Sequence, residues 1–427
     1  MLNLLTQRYF YPLFWVQFLG AFNDNLYKNA LVMLITFKLS HSAEQTGLLI
    51  TLAAGLFILP FFLFSSLAGQ IADHSSKTLL VKKIKLAEIL IMGLGALSLL
   101  SQSLFLLFLT LFMMGTQSAF FGPIKYALLP ELLARKHLMQ GNSLFSGSTF
   151  IAILLGTIAG GLGVLSPNGE TLMAITIITV AIVGYLFSLL LSSSASGDTK
   201  LIINWNIFSS TWQMVKQSKQ HPLALFAIIS ISWFWFIGAT LLSQIPTLVK
   251  YDLQANDNVV VLFLTLFSVG IAIGSALVSK LMQGRVHLRW HGFIMFGISM
   301  SILLTVWSVN ALEVDSVSRE TLRTVAELFM LTPLNLSFIF MAVLAVLGGM
   351  YIVPLYTLLQ TYTPFSVRAR MVAVNNVVNS FLMVLSAVLI MAGFALGLSL
   401  LQMLIILALG SLLVAFWLFK KRALVRR

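Results

Sequence analysis

The stretch GAFNDNLYKNAL, residues 20–31, sets Asp24 and Lys28 among asparagines, between the apolar runs YFYPLFWVQFL and LVMLITF. A charge at the centre of a lone bilayer-spanning helix costs ~2.5–3.5 kcal/mol on insertion scales. Positions 17, 21, 24 and 28 follow the spacing of one helix face, so Gln17, Asp24 and Lys28 point the same way. Asn23 and Tyr27 flank them on one side, Asn25 and Asn29 on the other. A stripe this wide must line a bundle interior rather than lipid. Two chemistries fit it. Asp24 and Lys28 can neutralise each other and tie the helix to its neighbours. Alternatively the stripe is a cradle for a charged headgroup, with Lys28 meeting an anion such as phosphate and Asp24 meeting an amine or holding Lys28 in place.

Few other charges fall inside apolar text. Lys125 follows Pro123 near the end of an apolar run; its position fits a snorkelling loop lysine or a second phosphate contact equally well. Glu88 can pair with Lys85 at i, i+3 and reads as interfacial. All six histidines fall in loops or at span ends, which does not indicate a histidine proton relay. No nucleophile elbow, P-loop or metal-spaced cluster occurs, so an enzyme reading has no catalytic set and no cofactor is expected. Cysteine is absent, which excludes disulfides and thiolate metal sites. Residues 229–246, ISISWFWFIGATLLSQIP, carry Trp233, Phe234, Trp235 and Phe236. Consecutive aromatics point around a helix, so ordinary packing is the expected role. The second half has no ionisable residue in its span interiors. A cavity charged on one wall and apolar on the other would suit an amphiphile.

The elements that must position these residues follow from composition. The 427 residues are 59% hydrophobic and 9% charged, and mean hydropathy is +0.97. That is a polytopic membrane protein, all-α because its apolar runs are about as long as a bilayer-spanning helix requires. About 20 apolar residues span the bilayer core. By that rule about twelve spans are expected, near 12–36, 46–69, 84–101, 104–122, 142–165, 171–192, 222–246, 258–281, 289–310, 334–358, 371–396 and 398–419. The third and fourth are nearly continuous. The first is too long for a signal-peptide core and is expected to stay in the mature chain.

Net charge is +13, yet the basic residues alternate from loop to loop instead of forming a soluble patch, so no nucleic-acid partner is expected. One set of loops carries Arg8, Lys77, Lys82, Lys83, Lys85, Arg135, Lys136, Lys200, Lys216, Lys219, Lys280, Arg285, Arg289, Arg368, Arg370 and the tail KKRALVRR. The opposite set carries Lys38, Lys250, Arg319 and Arg323, with Glu170, Asp252, Asp257, Glu313, Asp315 and Glu320. The ratio is roughly five to one, which places the rich side and both termini in the cytoplasm.

The longest inner connection separates the chain into six-helix bundles 1–192 and 222–427, the second with the basic tail, joined by a linker 193–221. The linker opens with SSSASGD. Trp205, Phe208, Trp212 and Val215 then recur at helical spacing beside Lys216 and Lys219, an amphipathic helix at the inner membrane surface or a plain connector. The halves echo each other. Each ends a span with proline (Pro123, Pro354), crosses a basic loop and enters the next span through asparagine (Asn142; Asn375 and Asn376). Two parallel six-span halves are the layout of a major facilitator transporter.

GQIADHSSK, residues 69–77, resembles the signature loop of the major facilitator superfamily. Gly69, Asp73 and Lys77 match it, while His74 and Ser76 depart from it. The resemblance implies that Gly69 allows close helix approach and that Asp73 pairs across the inner seam, holding the outward-open state; a solvated turn is the alternative. In the second half, GSALVSK keeps Gly274 and Lys280 but has Val278 in place of the acid.

With QFLGAFNDNLYKNAL, FFGPIKYALLPEL, ISWFWFIGATLLSQIP and LFSVGIAIGSAL, the chain resembles bacterial lysophospholipid transporters of that superfamily, especially the transporter domain of acyltransferase-fused members. The resemblance implies a twelve-helix fold in the inner membrane and movement of lysophosphatidylethanolamine and lysophosphatidylglycerol to the cytoplasmic leaflet. There a separate acyltransferase would restore the missing chain, since this chain is expected to carry no fused enzyme. It implies that Asp24, Asn25, Lys28 and Lys125 belong to the substrate path. Gln244 stands where some stand-alone members have a basic residue. The other reading is a proton-coupled exporter of a small metabolite, siderophore or drug.

Overall fold

The computed structural model describes residues 2–39, 43–193, 197–282, 288–311 and 322–421. Arg285, Glu313, Asp315, Arg319, Glu320 and the tail arginines lie outside them, as does part of the serine-rich linker. Among the described residues, helices α1 (Tyr11–Leu34), α2 (Ala43–His74), α3 (Lys77–Ser101), α4 (Leu104–Leu132), α5 (Leu138–Val164) and α6 (Gly169–Leu189) form the first series. A short α7 (Ile207–Ser218) leads into α8 (Pro222–Thr247), α9 (Asp257–Met282) and α10 (His291–Asn310). After α11 (Val325–Met330) come α12 (Leu334–Tyr362), α13 (Arg368–Ala395) and α14 (Leu400–Lys421). Eleven of these helices are long and apolar enough to cross a membrane. The twelfth long helix is α1, whose polar stripe lowers its hydropathy.

The helix ends have local causes. Pro12 lies in the first turn of α1, where its missing N–H would have no partner anyway. Gln102 takes a left-handed conformation, φ 51°, and separates α3 from α4 where the apolar text runs almost unbroken. Asn206 caps α7, its side chain accepting from Ser209 N at 3.0 Å, and Thr324 and Glu327 close a capping box on α11. Each such bond satisfies one of the orphan groups every helix leaves at its end.

Two compact units result. One comprises Met1–Gly141, Ile151–Ile229 and Leu358–Ser380; the other comprises Asn142–Phe150, Ser230–Thr357 and Phe381–Arg427. Each unit thus takes in a piece of the other chain half: the first turns of α13 belong with α1–α4, and Asn142–Phe150 of α5 belongs with α9 and most of α12. In the first unit, Leu26, Tyr27, Leu31, Met92, Leu111 and Ile177 form a buried core between α1, α3, α4 and α6. Tyr27 Oη meets Ser98 Oγ at 2.8 Å and donates to Leu107 O at 3.1 Å. Large apolar side chains such as Leu90, Phe105 and Leu162 are exposed, as a lipid-facing surface requires.

Candidate substrate site and inner latch

The stripe of α1 divides by function once its neighbours are in place. Asn23 Nδ2 donates to Ile177 O at 3.1 Å, and Asn29 Nδ2 donates to Thr157 Oγ1 at 3.0 Å. Both flanks therefore tie α1 to α6 and α5. Gln17 is buried and already engaged. Asn25 is buried, with its amide donating to Ala21 O one turn earlier at 2.8 Å. Asp24 and Lys28 remain half-buried.

The two do not form the self-neutralising pair that their spacing allowed. Ser118 Oγ, on α4, donates to Asp24 Oδ2 at 2.6 Å. Among the described residues Lys28 has no carboxylate within 4.0 Å; its ammonium stands 5.5 Å from the centre of the Phe57 ring. Lys125 is also half-buried and, among the described residues, lacks a carboxylate at that distance. Its ammonium lies 5.6 Å from the Phe121 ring and 5.3 Å from the Tyr126 ring. Aromatic faces hold a cation weakly and leave its donors available. Asp24 is within Coulombic range of Lys28, Lys85 and Glu88, and Lys125 is within range of Asp24.

The expected pairing of Glu88 with Lys85 is present at 2.5 Å, and both side chains are enclosed in the protein, 2% and 0% exposed. Because α3 begins at Lys77, a rise of 1.5 Å per residue carries Lys85 about 12 Å into the helix. The ammonium fits where Gly20 and Gly184 leave room; a Cβ on either would lie 3.3 or 3.2 Å from it. Gln117 Nε2 donates to Glu88 Oε2 at 2.9 Å, and Gln117 Oε1 lies 3.1 Å from Ser118 Oγ. Asp24, Ser118, Gln117, Glu88 and Lys85 thus form one polar chain across α1, α4 and α3. Desolvating such a pair costs several kcal/mol per ion, which only close geometry and added hydrogen bonds offset. Sequence reasoning missed Ser118 and Gln117, since a lone serine or glutamine in an apolar span gives no periodic signal.

A second cluster stands at the end of α2. Asp73 accepts from Ala369 N at 3.0 Å, Arg370 N at 3.2 Å and Arg370 Nε at 3.0 Å. The carboxylate is buried and ion-paired to Arg370. It therefore sits on the first turn of α13, where unpaired amides and the helix dipole favour an anion. Gly69 permits this approach: a Cβ there would lie 2.6 Å from Ala373 Cβ and 3.0 Å from Arg370 Cα. Lys77 is buried, 2.9 Å from Glu131 Oε1, with its ammonium 4.6 Å from the Phe365 ring. The solvated-turn alternative does not describe residues so enclosed. Spacing gives no sign of Glu131, because its partner Lys77 comes from another helix.

In the second unit the aromatic run packs as expected. Trp233 and Phe236 stack at 5.0 Å, Trp233 Nε1 donates to Ser411 Oγ at 3.3 Å, and Phe234 stacks on Tyr351. Gln244 lines a small cleft with Leu241, Ile302, Met341 and Leu404.

Comparison with known proteins agrees with this architecture. The profile of the Major Facilitator Superfamily matches residues 13–387. The lysophospholipid transporter LplT of Yersinia pestis (strain Pestoides F) is 24% identical over 372 residues, covering 84% of this chain and 80% of that protein; LplT of Yersinia pseudotuberculosis (serotype O:3) matches equally. Among solved structures, a fucose transporter of the superfamily, FucP, in the outward conformation has a TM-score of 0.71 at 13% identity, covering 97% of this chain and 99% of its own. A bacterial homologue of the iron transporter ferroportin, outward-facing, has 0.69 at 15%, covering 98% and 100%. These are transporters, not enzymes. The chain is a multi-pass membrane protein that belongs to the major facilitator superfamily.

Proposed function

We propose that this transporter moves lysophospholipids, lysophosphatidylethanolamine and lysophosphatidylglycerol, to the cytoplasmic leaflet of the inner membrane, where a separate acyltransferase restores the missing chain. The observation that carries the reading is the pair Lys28 and Lys125, two half-buried ammonium groups with no carboxylate within 4.0 Å among the described residues, beside an Asp24 carboxylate oriented by Ser118. A phosphodiester beside an amine is the complement of that set: the ammonium groups supply point charges and donors for phosphate, and Asp24 accepts from the ethanolamine. The acyl chain is left to apolar walls. The similarity to proteins named lysophospholipid transporters supports this substrate class. In the same proposal, both termini face the cytoplasm, and Gly69, Asp73 and Lys77 form a latch on that side.

The test is reacylation of labelled lysophosphatidylethanolamine in spheroplasts with and without the gene. The expected result is faster entry and reacylation when the gene is present. Equal rates would sink the flippase reading. Efflux of a drug or siderophore, abolished by collapsing the proton gradient, would instead establish the exporter.

A further inference from the structure

The short helix α7 has two unlike faces. One is bolted to α2. Ser210 Oγ meets Ser66 Oγ at 2.7 Å, Gln70 Nε2 donates to Ser210 Oγ at 3.1 Å, and Asn204 N donates to Gln70 Oε1 at 2.9 Å. The other face is bare: Phe208 and Trp212 are 72% and 71% exposed, and Trp205, just before the helix, is 68% exposed. Between α7 and α2 runs an apolar groove of about 190 Å³, lined by Phe62, Leu63, Phe208, Thr211, Trp212 and Val215. Lys216 and Lys219 are exposed near the end of α7, three residues apart and so on one side of it. Neither has a carboxylate within 4.0 Å among the described residues.

Tryptophan and phenylalanine beside lysine on one helix is the composition of an element lying in the plane of a membrane interface. The groove opens beside exposed Phe62 of α2, a helix apolar enough to cross the membrane, so it is continuous with a lipid-facing surface and not a place for a soluble protein. We propose that the α2–α7 groove is a binding site for an anionic phospholipid of the leaflet on which α7 lies. An acyl chain fills the groove between Phe62 and Trp212, and the phosphate rests on Lys216 and Lys219. Two lysines at a lipid surface bias the site toward net negative headgroups. The site is distinct from that around Asp24, and its occupant is a resident lipid, not cargo.

The experiment places a photoreactive p-benzoylphenylalanine at position 208 of the full-length protein, in nanodiscs of equal phosphatidylglycerol and phosphatidylcholine. Lipid adducts are then identified by mass spectrometry. Phosphatidylglycerol adducts should exceed phosphatidylcholine adducts by about tenfold. The same probe at Leu413, exposed on α14, should report the bulk ratio. The double variant K216Q/K219Q, or high salt with the lysines intact, should return position 208 to the bulk ratio. A bulk ratio at position 208, adducts only to protein, or an enrichment that survives both treatments would each overturn the proposal.

Discussion

Two helix contacts in this molecule are echoes of one another in sequence and opposites in chemistry. In the first unit the end of α2 meets the first turn of α13 through a buried carboxylate, Asp73, which accepts from two backbone amides and a guanidinium. In the second unit the end of α9 meets the first turns of α5 without any charge. There Ser143 donates its hydroxyl to Ser275 O, Gly147 faces Ala272, and buried Val278 stands where the repeat would have an acid. An ionic contact at a helix N-terminus is strong only in its exact geometry and fails abruptly once water enters. A contact of small side chains loses van der Waals energy gradually. The repeat therefore yields one ionic contact and one neutral one.

The largest effect should come from Asp73→Ala. It leaves two helix-end amides and Arg370 without their shared acceptor, which for a broken buried pair is worth about 3–5 kcal/mol. Transport should fall by more than about tenfold, with a lowered thermal midpoint in detergent. Unchanged transport would remove the contrast between the two contacts. Next is Glu88→Gln, which leaves Lys85 buried without its counter-ion. We expect a destabilisation of about 3 kcal/mol by thermal unfolding, and none of it should appear in Lys38→Gln, whose pair with Glu170 is partly exposed.

Val278→Asp introduces the missing acid into the neutral contact. With no guanidinium placed there, the carboxylate should cost about 1–3 kcal/mol and slow transport; faster transport would mean that the neutral contact holds more tightly than the ionic one. A last comparison separates two glycines, and its second member carries the smallest effect. Gly69→Ala should be clearly damaging, because the new methyl would meet Ala373 Cβ at 2.6 Å and Arg370 Cα at 3.0 Å. Gly147→Ala, at 3.3 Å from Ala272 Cα, should shift the midpoint only slightly. Equal shifts would show that approach distance is not what these positions control.

Much of this was legible before any coordinates. The long helices follow from transfer energetics that act over some twenty residues at a time, so single polar residues do not hide them; even α1 is recognisable by its ends. The face shared by Asp24 and Lys28 follows from helical period. What spacing cannot give is the partner on another helix. It could not show that Asp24 takes Ser118 and that Lys28 has no carboxylate within 4.0 Å among the described residues, or that Asp73 binds backbone amides, which have no side-chain signature. The local pairing of Glu88 with Lys85 is visible in the sequence; its enclosure, and the amide of Gln117 that completes it, are not. Glu131 was obscured because its ion pair spans from α4 to the first residue of α3.

The central claim is that Lys28 and Lys125 hold a phosphate that enters beside Asp24. The direct test is uptake and reacylation of labelled lysophosphatidylethanolamine in spheroplasts carrying Lys28→Gln/Lys125→Gln, with surface-exposed Lys420→Gln as control and protein levels matched. The account predicts that the double variant folds, reaches the membrane and transports at the gene-free rate, while the control transports normally. Normal transport by a well-folded double variant would contradict it.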